Sequence, residues 1–114
     1  LTSCSKEDAS NLVEIRVNNQ TGKDVSDVSV YSWLPNVPGE FERKYGKIRA
    51  GETSKYQSHK EVAWYPLYEL TMGGQTIECR QIYCGVGITY LQPGKYSLLI
   101  QEIGNHMSIR FIED

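Results

Sequence analysis

A chain of 114 residues with 39% apolar and 23% charged side chains makes one domain, long enough to bury roughly two-thirds of its extended surface. Its formal net charge of −2 and its scattered Lys and Arg give no basic stripe, which argues against nucleic acid as a partner. No apolar run approaches the ~18 residues that a membrane-spanning helix needs, and eight tyrosines against two phenylalanines suit a pleated, half-wet architecture.

The chain opens Leu1-Thr2-Ser3-Cys4, followed by Ser5-Lys6-Glu7-Asp8. Leu-Thr-Ser-Cys resembles the lipobox of bacterial lipoproteins, where a small residue precedes the cysteine that becomes acylated and N-terminal. Ser-Lys-Glu-Asp resembles the lysine-plus-acidic export signal of Bacteroides-type surface lipoproteins. The resemblance implies lipidation of Cys4, a membrane partner through that anchor, and an address at the bacterial outer membrane or cell surface. It also implies an upstream segment that is basic and then apolar. Each buried methylene of an acyl chain contributes about 0.8 kcal/mol, and more than one chain makes a stable anchor. The plainer alternative is a frayed terminus with an incidental cysteine. Residues 1–11 read as a tether and residues 12–114 as one folded domain.

Leu12 to Asn18 alternates, with Val13, Ile15 and Val17 on one face, and reads as a first strand. Asn19 to Asp24 is a polar turn; Asn19-Gln20-Thr21 fits a glycosylation sequon, which turn composition alone accounts for. Val25 to Trp33 is a second strand, with Val28 and Val30 on one side and Asp27, Ser29, Tyr31 and Trp33 on the other. Pro35, Pro38 and Gly39 exclude helix and central strand from Leu34 to Phe41. Ser54 to Ser58 is a polar edge strand guarded by Lys55, Lys60 and Glu61. Trp64 to Met72 alternates with Trp64, Tyr68, Leu70 and Met72 together, then turns at Gly73-Gly74 into Thr76 to Tyr83. A two-residue hairpin there sets Leu70 opposite Ile77, Tyr68 opposite Cys79 and Glu69 opposite Glu78. Gly85-Val86-Gly87 is a loop.

The closing segment, Lys95 to Ile112, is two alternating runs about Gly104-Asn105. Folding there places Ile100 opposite Ile109 and Leu98 opposite Phe111, with Tyr96 and Met107 on the same face; a one-residue slip scrambles both faces. Just before it, Leu91-Gln92-Pro93-Gly94-Lys95-Tyr96 is similar to a pattern in immunoglobulin-like extracellular modules, where the Tyr hydroxyl bonds back across a corner. Seven to eight short strands at this spacing predict an all-β, immunoglobulin-like antiparallel β-sandwich. With the lipobox, the layout resembles small Bacteroides-type surface lipoproteins with a sandwich body.

The chemistry-bearing residues are few. His59 and His106 have no ligand partner at metal spacing, and Cys79 and Cys84, five positions apart, point to opposite faces of a regular strand. Cys79 is expected as a small buried hydrophobe rather than half of a disulfide. Glu69 and Glu78 are a cross-strand carboxylate pair of the kind glycoside hydrolysis uses, but solvated glutamates beside Arg80 are the simpler account. The expectation is therefore a non-enzymatic, lipid-anchored binding or accessory module of the envelope with no catalytic residues, metal or cofactor and with its ligand unspecified; one alternative is a glycan- or peptide-binding module through the Trp33 to Phe41 region. Tyr31, Trp33 and Phe41 are its candidate ligand surface; the alternative is that the Leu34–Phe41 loop folds over Tyr31 and Trp33 and closes one end of the sandwich. A hydrolase inhibitor inserting the Leu34–Phe41 loop into a cleft is the other functional alternative.

Overall fold

The computed structural model describes residues 12–32, 41–80 and 89–114. Eight strands form two four-stranded sheets. They are β1 (Val13–Asn19), β2 (Val25–Ser32), β3 (Phe41–Ile48), β4 (Gln57–His59), β5 (Tyr68–Met72), β6 (Gln75–Cys79), β7 (Gly94–Ile103) and β8 (His106–Glu113). One sheet runs β4-β1-β7-β8 and the other β3-β2-β5-β6, giving the expected all-β sandwich. Cys4 and the rest of residues 1–11, Trp33 and Cys84 lie outside the described residues, so the tether, the lipidation site and the Cys79–Cys84 pair do too.

Both hairpins take the register that their turn residues dictate. Ile100 faces Ile109 and Leu98 faces Phe111 across β7 and β8. Leu70 faces Ile77, Tyr68 faces Cys79 and Glu69 faces Glu78 across β5 and β6. Gly73 and Gly74 both have positive φ (60° and 79°), as a type I′ turn requires, whereas at the other turn only Gly104 does (60°), the type II′ pattern. Tyr96, Leu98 and Ile100 are buried, and Met107, Ile109 and Phe111 pack against the same core.

The core is the set of inward faces: Val13, Ile15 and Val17 from β1, Val25, Val28 and Val30 from β2, Leu70 from β5 and the β7 residues. Val25 and Val28 are three apart yet share a face. The register of β2 against β3 shifts between them, and Asp27 takes φ 50°, so a bulge supplies the extra residue. The pairing that joins the chain's ends is parallel: β1 lies along β7 from Val13 beside Gly94 to Asn19 beside Ile100. That one pairing departs from an antiparallel plan. The Tyr96 hydroxyl donates to Gln92 O at 2.8 Å, the corner bond that the Pro-Gly-x-Tyr pattern implied.

Asn19 is fully buried. Its amide donates to Lys23 O (2.8 Å) and Ile48 O (3.0 Å), while Oδ1 accepts from Thr21 N (3.0 Å) and Thr21 Oγ1 (2.7 Å). All its capacity is spent on shaping the β1–β2 turn, so the sequon there is structural.

Candidate functional site

Three places on the sandwich carry chemistry worth weighing. The first is the outer face of the second sheet, where Tyr31 sits. Tyr31 is only 6% exposed, and the Arg80 guanidinium lies 4.4 Å from its ring centroid. Its hydroxyl is 3.5 Å from Glu69 Oε1, which Arg80 Nη1 approaches at 3.9 Å. Burial, opposed by the Arg80 charge, leaves the phenol pKa raised. Tyr31 itself thus offers no free ring, in line with the covered alternative rather than the open one. Trp33 lies outside the described residues, and Phe41 is described only as the strand position opposite Ser32. Glu69 and Glu78 face each other across β5 and β6, with Glu69 drawn to the Arg80 cation. A cleft of about 240 Å³ lies on this face between Asp27, Ser29, Glu42, Lys44 and Glu69.

The second place is the side of the sandwich where β3 and β4 meet. His59 is 1% exposed. The Tyr45 hydroxyl lies 2.8 Å from its Nε2 and donates to Ile15 O at 2.7 Å. A phenol has one hydrogen, so Nε2 carries the proton that Tyr45 Oη accepts, and Nδ1 is left as a bare, buried acceptor without a partner. Burial, reinforced by the nearby Arg43 charge, pushes the imidazole pKa down to about 4, and burial pushes the Tyr45 phenol up. His59 is therefore a neutral core residue packed against Tyr45. Sequence reasoning missed this because the contact forms between sheets. His106 is exposed beside the β7–β8 turn. The neighbouring cleft, about 350 Å³ between Tyr45, Lys47, Glu52, Lys55 and Gln57, is polar and open. Among the described residues, no three His, Cys, Asp or Glu side chains come together as a metal-ligating group.

The third place is one pole of the sandwich. Tyr31 N donates to Leu67 O at 2.9 Å, so the segment leading into β5 lies at the end of β2. It is pinned again by Trp64 N to Thr89 O and Leu91 N to Val62 O, both 2.8 Å, and by the bridge between Ala63 and Tyr90. Val62, Ala63 and Leu67 are buried and anchor it. Trp64 is not: it stands 54% exposed, with the Tyr65 ring edge-on at 5.1 Å and 87°. The alternation from Trp64 to Met72 had placed Trp64 inside with Tyr68 and Leu70. Pro66 breaks that phase, because it cannot extend the ladder and it restrains Tyr65, so β5 begins only at Tyr68. Glu61, at φ 55°, sits at the start of the same segment. Burial and the Glu61 charge both raise the Tyr90 pKa. The exposed indole of Trp64 and the edge-on phenol of Tyr65 form an open aromatic surface.

No family model matches the chain, and no curated protein does. Among solved structures, the chain is similar to the NMR structure of a protein from Eubacterium rectale at 16% identity and a TM-score of 0.57, over 93% of this chain and 91% of that one. At that identity, the likeness is one of fold: the two chains share the two-sheet β-sandwich.

Proposed function

We propose that the chain is a non-enzymatic, lipid-anchored binding module of the bacterial envelope, and that it takes a sugar ring at its Trp64 pole. The lipobox-like Leu1-Thr2-Ser3-Cys4 supports the address, with Cys4 carrying the anchor. The observation that carries the binding site is the 54% exposure of Trp64 on a segment whose neighbours Val62, Ala63 and Leu67 are buried. A large ring held in water by a rigid backbone is a contact surface that loses little entropy on binding. The open part of the indole is roughly 130 Å², taking about 250 Å² for a whole tryptophan side chain. That falls far short of the ~800 Å² per partner of a stable protein complex but matches the C–H face of one pyranose.

Trp64→Ala should keep the folded circular dichroism spectrum and lose at least tenfold in affinity for the glycans that the parent retains on an array. Unchanged binding by folded Trp64→Ala, with loss in Trp33→Ala, would move the site to the segment after β2.

A further inference from the structure

Among the described residues, the sandwich is fastened along one side and open along the other. On the β3 and β4 side, four side chains cross between the sheets: Tyr45 to Ile15 O (2.7 Å), Asn19 Nδ2 to Ile48 O (3.0 Å), Arg43 Nε to Ser58 O (3.0 Å) and Gln57 Nε2 to Lys44 O (2.7 Å). On the β6 and β8 side, no side-chain hydrogen bond joins the sheets among the described residues, and Ile77, Met107, Ile109 and Phe111 pack on the core while only half-buried.

β8 borders this open side. It is the edge of its sheet, eight residues long, without proline and in unbroken register with β7. Natural edges are blunted by shortness, bulges, proline or charge; β4 on the opposite edge has three residues, whereas β8 carries only the charges of Arg110 and, beyond its apolar stretch, Glu113. Its amides alternate. The pair closing the turn is Ile103 with His106, and Asp114 N donates to Lys95 O at 2.9 Å, so the even-numbered residues bond to β7. The odd-numbered residues Met107, Ile109 and Phe111 therefore turn their backbone N–H and C=O to the free edge. Their side chains are the ones that line the open flank.

We propose that β8 pairs antiparallel with β8 of a second copy of this chain, about a two-fold axis through Ile109. In that register Ile109 faces Ile109, Met107 faces Phe111, and each of these facing pairs exchanges two backbone hydrogen bonds through amides already pointing outward. Arg110 faces Ser108. Centring the axis one residue later sets Arg110 against Arg110, a like-charge pair at the closest strand spacing, and sets Met107 against Glu113. The Ile109 register instead joins the half-buried apolar groups of both copies into one continuous inner face. A formal charge of only −2 per chain offers little resistance.

Sedimentation equilibrium of the full chain across a concentration range should give twice the chain mass. Ile109→Pro removes an amide that β7 does not use, so the hairpin survives and the dimer dissociation constant rises at least tenfold. Where that variant loses its folded spectrum, amide hydrogen exchange on the parent decides. The Met107, Ile109 and Phe111 amides should slow as concentration rises while Ser108 and Arg110 stay slow throughout. A monomer at every concentration, a dimer unaffected by folded Ile109→Pro, concentration-independent exchange at the three odd amides, or a monomer that pairs β8 only with another protein's strand would each overturn the proposal.

Discussion

Leu98→Ala should lower the free energy of unfolding by about 2–5 kcal/mol, while Leu99→Ala, one residue on, should cost nearer 2 kcal/mol. Leu98 is fully buried on the inward face, beside Val17 of β1 and opposite Phe111 of β8. Truncation there leaves a hole between two sheets that the fixed strand spacing cannot close, so a cavity term adds to the transfer term. Leu99 is also buried, at 8% exposure, but on the outer face between Asn18 and Arg110, where water can follow the lost methyl groups. Urea unfolding of the two variants measures the difference. A larger cost at Leu99 would mean that the hairpin faces the other way.

The second large effect is acid sensitivity at His59. Its pKa is about 4 when folded against an ordinary value of 6.5, because burial penalises the charged imidazolium and the nearby Arg43 charge opposes it further. The sign follows from linkage. Above pH 6.5 both folded and unfolded imidazole are neutral, and the full stability is present. As pH falls from 6.5 towards 4 the unfolded chain takes up a proton that the folded chain refuses, at about 1.4 kcal/mol per pH unit, for a total of about 3 kcal/mol. His59→Gln should flatten the stability profile in that window, whatever its effect at neutral pH. An equally steep profile in the variant would assign the loss to other groups. Asp114 belongs to a lower window. Desolvation raises its carboxyl, but hydrogen bonds from Tyr56 and Ser97 and the Arg16 charge together leave it lowered, so its contribution fades only as pH falls through the carboxylate range.

The parts of this fold that were legible beforehand are those governed by local rules. A Gly-Asn or Gly-Gly turn sets a hairpin register within a few residues, and alternation then names both faces of β5, β6, β7 and β8. The Tyr96 corner was legible because Pro93, Gly94 and Tyr96 are near neighbours in the chain. What alternation could not supply was long-range: the parallel docking of β1 on β7, the neutral His59 under Tyr45, and the burial of Ser97. Ser97 Oγ accepts from Arg16 Nε at 3.0 Å and donates to Asp114 at 2.7 Å, so a strand position that reads as solvated is roofed by polar partners. The bulge at Asp27 adds Val25 to the core against the simple period. Trp64 is different, since Tyr65-Pro66 was a local signal that the alternation should have stopped there. For Tyr31 the pattern allowed both an open and a covered ring, because nothing in it showed that Arg80, two strands away, lies over it.

The binding account depends on Trp64 standing in water while the domain is folded. In Trp33→Phe protein, Trp64 is the only indole, and its quenching by acrylamide measures that directly. The account predicts efficient quenching in the native state, with little further gain on unfolding in urea. A native-state indole shielded from acrylamide and released only by unfolding would contradict it.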